Sequence, residues 1–236
     1  MSTAERPPAG ASDVPARGEL VLATRSAGKL RELGPLVAQH GWRAVTLDMV
    51  GVPEVPEEAL LEVHDSFEAN ALAKARWFAA KTGRPVVADD SGLVVAALNG
   101  RPGVFSKRWS GSALEGAALD AFNNQFLLER LQEAAAHGRT ERTAQYVCAA
   151  ACVWPEGELV VHGTTSGSLL VAPRGSGGFG YDPYFLSDDL GATFAEVDGA
   201  AKARVSHRGR AFGALLTALD ARMRACVDPR FFTTGS

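Results

Sequence analysis

The stretch ELVLATRSAGKLRELGPLV, residues 19–37, decides the fold class. Its first six residues, ELVLAT, form an apolar β-type run, and RSAGK then interrupts that run with small residues and a glycine. Leu30, Leu33, Leu36 and Val37 follow at the spacing of one helical face. A strand passing through a tight loop into a helix is the opening unit of an α/β fold.

Working outward, SFEANALAKARWFAAKTG (66–83) predicts a second helix. Ser66 caps its start, Phe67, Ala71, Leu72, Ala75, Phe78 and Ala79 recur at helical spacing, and Gly83 stops it. Pro85 releases the chain into PVVADDSGLVV (85–95), a strand that is expected to break at Ser91-Gly92. Residues 115–136, carrying Leu119, Phe122, Phe126 and Leu127, read as a helix; 143–154 and 158–171 read as strands around PEG, and a last helix covers about 207–226. Early strand–helix alternation followed by clustered strands predicts an α/β domain with a mixed, twisted sheet and flanking helices. Residues 1–17, rich in Pro and small polar residues, predict a disordered tail. A single domain over 18–226 and a C-terminal tail over 227–236 complete the expected organisation.

The 236 residues are 46% hydrophobic, and 24 Lys+Arg stand against 27 Asp+Glu. This balance argues against a nucleic-acid partner and requires any phosphate binding to be local. Cys148, Cys152 and Cys226 match neither a zinc pattern nor an even disulfide set, so reduced, buried thiols are expected. No apolar run approaches the roughly 18 residues of a membrane span, and no signal sequence opens the chain, which predicts a soluble cytoplasmic protein without a membrane partner.

Four segments carry candidate chemistry. Thr24 to Lys29 enters a helix N-terminus, where backbone N–H groups favour anions; Gly28 allows close approach and Lys29 adds a point charge. The segment is not a Walker motif, since it lacks the spaced glycines and the hydroxyl residue after Lys. In ADDSGL, strand alternation sends Asp89 and Asp90 to opposite faces, so one is expected to be catalytic and the other supportive, with Mg²⁺ as the natural neutraliser. Glu62 is positioned to add a third carboxylate. In RGSGGFGYDPYF, Gly175, Gly177 and Gly180 imitate a dinucleotide fingerprint, but Pro183 follows and no helix begins there. A loop presenting Phe179 and Tyr181 to a flat base competes there with an aromatic pair that anchors the loop in the core. KARVSHRG gathers Lys202, Arg204, His207 and Arg208, either as ligands for phosphate and a base carbonyl or as surface charge. All four segments are expected in loops beside strands.

In this order, LATRSAGKLREL, FEANALAKA, ADDSGL, GRPGVFSKRWSG, GGFGYDPYF and SHRGRAF resemble the inosine/xanthosine triphosphate (dITP/XTP) pyrophosphatase family over residues 19–222. The resemblance implies hydrolysis of ITP, dITP and XTP to the monophosphate and pyrophosphate, with Mg²⁺, by a homodimer whose two lobes flank a deep cleft. It implies a phosphate loop at Thr24, Arg25, Ser26, Ala27, Gly28 and Lys29. It makes Asp90 the general base and a metal ligand, Ser91 a substrate contact and Glu62 the second metal ligand. Phe179, Gly180, Tyr181 and Asp182 fall on the base-binding loop, and Lys202, His207 and Arg208 on the remaining substrate contacts.

Three departures accompany the match. Ser26 stands where the family usually carries Asn, His64 stands at a usual glycine, and Arg204 is additional. Glu57 and Glu58 are alternatives to Glu62. A Maf-like pyrimidine nucleotide pyrophosphatase, or a nucleotide sensor without turnover, are the competing functions.

Overall fold

The computed structural model describes residues 18–227, the last five by their backbone alone. The expected N-terminal tail and, apart from Val227, the expected C-terminal tail lie outside these residues, as does the Cys226 side chain.

Strands β1 (Glu19–Leu22), β2 (Arg43–Thr46), β3 (Val86–Val95), β4 (Thr143–Trp154), β5 (Gly157–Leu169) and β6 (Phe185–Ser187) form a sheet ordered β2-β1-β3-β4-β5-β6. β1 pairs in parallel with β2 and β3, and every later pairing is antiparallel. The parallel half needs crossovers, which α1 (Ala27–Gln39) and α2 (Phe67–Thr82) supply, whereas β4 and β5 meet through a short turn. Helices α3 (Gly116–Ala136), α4 (Gly199–Val205) and α5 (His207–Val227) complete the flanking layer.

Local signals act as the sequence predicts at α2. The Ser66 hydroxyl accepts the Ala69 N–H at 3.1 Å, and Gly83 ends the helix in the left-handed region at φ 63°. Cys148 and Cys152 are unpaired and buried, and burial pushes the Cys152 thiol up to about 12, so neither is a nucleophile at neutral pH.

Two expectations fail. β3 does not break at Ser91-Gly92; Asp90, Ser91 and Gly92 stay in register with Ala149, Cys148 and Val147 on β4. The backbone ladder is indifferent to side-chain charge, and the small residues instead make room for a neighbour, the Ser106 hydroxyl, which accepts the Leu93 N–H at 2.9 Å. The KARVSHRG segment is not a loop either, since Lys202 and Arg204 lie on α4, while His207 and Arg208 open α5 at the expected start of the last helix. β2, β6 and α4 went unpredicted because three to seven residues carry too little periodicity to register.

The core divides by sheet face and end. α1 and α5 bury Leu33, Val37, Phe212 and Leu216 against one face, where Cys148, Ala150 and Cys152 alternate along β4. α2 buries Ala71, Ala75 and Phe78 against the other face, on Ala149 and Ala151. α3 and the far ends of β3 to β5 enclose Leu127, Leu131, Tyr146, Phe185 and Phe194.

Gly163 on β5 fixes how closely α5 approaches the sheet. A Cβ there would lie 2.3 Å from the His207 carbonyl and 2.5 Å from the Ala211 nitrogen. Gly163→Ala must push the N-terminus of α5 outward, and is expected to cost about 1–3 kcal/mol of stability, measured by urea denaturation.

Candidate active site

The alternation of β3 separates its two carboxylates. Asp89 turns toward α1 and α5, and is 1% exposed. Its Oδ2 lies 3.0 Å from Lys29 Nζ and accepts from Arg208 Nε at 3.1 Å and from Ser91 Oγ at 3.3 Å. Ser91, two residues along, shares that face, as period-two geometry requires. Burial alone would raise the Asp89 carboxyl, but Lys29, Arg208 and Lys74 hold it well below the usual carboxylate range.

Asp89 is one link in a buried chain of alternating charge. Arg208, 3% exposed, also donates to Glu32 through Nη1 and to Ser91 Oγ at 2.7 Å through Nη2. Glu32 lies 2.7 Å from Lys202 Nζ, which lies 2.6 Å from Asp182 Oδ2. The chain therefore runs Lys29, Asp89, Arg208, Glu32, Lys202, Asp182, and ties α1, β3, α4, α5 and the 172–184 segment together.

Asp90 faces α2. Its Oδ2 accepts from Asn70 Nδ2 at 2.8 Å, and its Oδ1 from the Ser91 N–H at 3.0 Å. Lys74 donates to Glu62 and to the Asp89 carbonyl, both at 2.5 Å. Burial, reinforced by the nearby Glu62 charge, raises the Asp90 carboxyl despite Lys74 and Lys29. Glu62 moves the other way: against burial, Lys74 and Lys29 lower it. One face of β3 thus holds a carboxylate saturated by cations, and the other a carboxylate that takes up a proton more readily.

The phosphate loop is built as expected at its end and differently at its start. Ser26 caps α1, its hydroxyl accepting the Lys29 N–H at 3.4 Å, a role that suits this shorter residue. Thr24 Oγ1 accepts the Ser26 N–H at 3.2 Å. Ala27, Gly28 and Lys29 form the first turn of α1, whose N–H groups point out of the helix. The Arg25 side chain turns away to Asp48, the Val52 carbonyl and Glu58, at 2.8–3.2 Å. Glu58 is thereby committed to Arg25. His64 gives its N–H to Asn70 Oδ1 at 2.9 Å; Asn99 is the non-glycine residue with positive φ among those described, so the His64 position makes no demand for glycine.

In the 172–184 segment the two aromatics part. Tyr181 is buried and donates to the Ser106 carbonyl at 2.8 Å, so its ring anchors the segment and is not presented to a base. Phe179 is half-buried, with its centroid 4.9 Å from Lys202 Nζ and its ring against Gly28, where a Cβ would lie 2.9 Å away. Asp182 is buried and accepts the Phe179 N–H at 2.8 Å. His207 stacks on Tyr146 at 4.5 Å with the planes 7° apart; burial, helped by Arg208 and Lys202, pushes its imidazole well below the ordinary value and keeps it neutral. Its Nδ1 is buried without a hydrogen-bond partner.

Lys29, Asp90, Ser91, Phe179, Lys202, His207 and Arg208 thus converge through direct or shared contacts, whereas the Arg25 and Tyr181 side chains have structural partners. Asn70, Lys74 and Glu32 were not singled out from the sequence. Asn70 and Lys74 had a signal: with Phe67 and Phe78 they occupy one helical stripe, so two polar residues interrupt an apolar face. Glu32 had none, being an ordinary charge in an amphipathic helix.

The model of the Ham1 family matches residues 20–218. A dITP/XTP pyrophosphatase of Frankia alni is 46% identical over 203 residues, covering 85% of this chain and 96% of that protein. One of Burkholderia pseudomallei is 45% identical over 213 residues, covering 89% and 97%. Among solved structures, a HAM1 protein from Coxiella burnetii superposes with a TM-score of 0.73 at 37% identity, covering 86% of this chain and 98% of that one. A nucleoside-triphosphatase / dITP/XTP pyrophosphatase from Mycobacterium abscessus gives 0.61 at 44% identity, covering 84% and 98%.

Asp89→Asn leaves the buried Arg208 with Glu32 as its one carboxylate partner and the half-buried Lys29 without its ion pair, and is expected to cost about 3–5 kcal/mol at pH 7. A depressed carboxyl contributes stability above its unfolded value of about 3.9 and loses it as pH falls below that. Urea denaturation from pH 7 to 3 should therefore show a steeper acid decline in the wild type than in Asp89→Asn.

Proposed function

This chain belongs to the Ham1 family, and on that premise we propose that it hydrolyses the unusual purine nucleotides ITP, dITP and XTP to the monophosphate and pyrophosphate. The observation that carries the mechanism is the division of labour across β3: Asp89 is saturated by direct contact with Lys29 and Arg208, while Asp90 is raised and held by hydrogen bonds, with Lys74 and Lys29 acting from a distance. The family match and the relatives' printed activities favour this reading over a pyrimidine-specific one.

The donor set suits Mg²⁺. Asp90 and Glu62 supply hard carboxylate oxygens close enough for the Glu62 charge to raise Asp90. No group of three or more His, Cys, Asp or Glu among the described residues is arranged to hold a metal. Two carboxylates without a full protein cage suit Mg²⁺, which is usually shared between one or two carboxylates, water and substrate phosphates. Glu58 pairs with Arg25 and Glu62 with Lys74, but it is the Glu62 charge that acts on Asp90, which favours Glu62 as the second ligand. When bound, Mg²⁺ would neutralise triphosphate charge and stabilise the leaving pyrophosphate.

The chain's own groups do the rest. The N–H groups opening α1, with Lys29, bind the triphosphate, and Lys74 adds positive charge beside Asp90. The Asp90 carboxylate takes a proton from water as its oxygen bonds to the α-phosphorus, and the bond from that phosphorus to the bridging oxygen breaks toward pyrophosphate. Phe179 offers a stacking face for the base, near Lys202, His207 and Arg208. A donor aimed at the base carbonyl favours hypoxanthine and xanthine, because the adenine amino group leaves that donor unpaired. The same reading, following the family resemblance, makes the protein a single-domain cytoplasmic homodimer.

Asp90→Asn is expected to lower pyrophosphate release from ITP with Mg²⁺ at least about 100-fold while leaving the denaturation curve cooperative. ITP and XTP should exceed ATP, UTP and dTTP by about 100-fold or more in kcat/KM. Near-normal turnover by Asp90→Asn, or equal rates on ITP and ATP, would contradict the assignment.

A further inference from the structure

The loop that carries Phe179 is gripped from α3, an element outside the charge chain. The Gly180 N–H donates to Asp120 Oδ2 at 2.8 Å, and the Gly180 carbonyl accepts from Asn124 Nδ2 at 2.9 Å. Both backbone polar groups of the residue after Phe179 are therefore held by side chains one helical turn apart. Asn124 Nδ2 also donates to the Asp120 carbonyl at 2.9 Å, which fixes the orientation of the amide. Asn124 is buried, and its Oδ1 has no hydrogen-bond partner. An apolar residue would spare that oxygen its desolvation, so packing alone does not account for an Asn here; its two donors do.

α3 reaches the same region twice more. Asn123 donates to the Lys107 carbonyl at 2.9 Å and accepts the Ser110 N–H at 3.2 Å, which steadies the 3₁₀ segment Gly103–Arg108. That segment contains Ser106, whose carbonyl receives the Tyr181 hydroxyl. Residues 171–178 are exposed on the approach to Phe179, where the Gly177 N–H donates to the Ala195 carbonyl at 2.9 Å, so the ring's position depends on the α3 anchors together with Asp182, Ala195 and its packing on Gly28.

We propose that Asp120 and Asn124 are positioning residues for the nucleobase end of the site, setting the Phe179 ring through the Gly180 peptide groups. This rests on the reading of Phe179 as the base-stacking surface. Among the described residues neither Asp120 nor Asn124 hydrogen-bonds to the phosphate end, built on α1 and β3, which meets this loop where the Phe179 ring lies against Gly28. Loosening the clamp should therefore weaken binding of a nucleotide and spare binding of a bare triphosphate.

Asn124→Asp tests this with nearly unchanged shape, replacing two donors with an oxygen that faces two carbonyls. The expected result is a KM for ITP raised about tenfold, with inhibition by inorganic triphosphate unchanged within about twofold and a reduced preference for ITP over ATP. Asp120→Ala removes the acceptor of the Gly180 N–H and is expected to raise the ITP KM in the same direction, and Asp120→Asn, which keeps an acceptor oxygen, to restore it to within about twofold of wild type; an ITP KM unchanged in Asp120→Ala overturns the role of Asp120. Hydrogen exchange reads the clamp independently of activity: amides of residues 179–182 should exchange at least about tenfold faster in Asn124→Asp, with β3 to β5 unchanged. Unchanged exchange overturns the clamp, whether or not the wild type turns over ITP. An ITP KM equal to wild type, or an equal loss of triphosphate and ITP binding, overturns the nucleobase role. Absence of pyrophosphate release by the wild type counts against the proposed function alone, and the exchange comparison then decides the clamp.

Discussion

A guanidinium buried between two carboxylates constrains everything around it. Arg208 has almost no exposure, and an arginine in a protein interior keeps its charge, so Asp89 and Glu32 must reach it. Those carboxylates are in turn oversupplied with cations, Lys29 at one end and Lys202 at the other. Each link requires the next, and five segments distant in sequence are held in one arrangement. Such a chain adds little net stability over an apolar core, since desolvation offsets most of its attraction. Its consequence is geometric: the loop entering α1, the middle of β3 and the start of α5 cannot drift apart without leaving a charge unpaired.

That constraint explains how two adjacent aspartates acquire different chemistry. Lys29 and Lys74 act on both, but only Asp89 is in direct contact with Lys29 and Arg208. The pleat places Asp89 among Lys29 and Arg208, and Asp90 against Asn70 with Lys74 and Glu62 nearby. A carboxylate matched by cations is a poor base, while one raised by burial and a neighbouring charge is a better one. The same backbone thus supplies an anchor and a reactive group at consecutive positions, and Gly163 lets α5 come close enough to the sheet to complete the anchor.

The sequence made the long elements legible because their periodicity is strong: α2, α3, β4 and the final helix fall within a residue or two of their expected bounds. It misled where charge and small residues were taken as signs of irregular backbone. Asp89 to Gly92 continue as a strand because hydrogen-bond ladders do not depend on side-chain polarity, and Lys202 lies on a helix with its charge matched by Glu32 and Asp182 from other elements. Partners such as Glu32 are invisible to local reading, since α1 and α5 meet only in three dimensions. Tyr181 and Phe179 look equivalent in GGFGYDP; that one anchors and the other faces Gly28 depends on Ser106, far away in the chain.

If Asp90 directs water at the α-phosphorus, the oxygen of that water has one destination. ITP hydrolysed for a single turnover in ¹⁸O-water with Mg²⁺, followed by mass spectrometry of both products, reads it directly. Label in the inosine monophosphate and none in the pyrophosphate is the predicted result. Label in the pyrophosphate, or release of orthophosphate in place of pyrophosphate, would contradict the account.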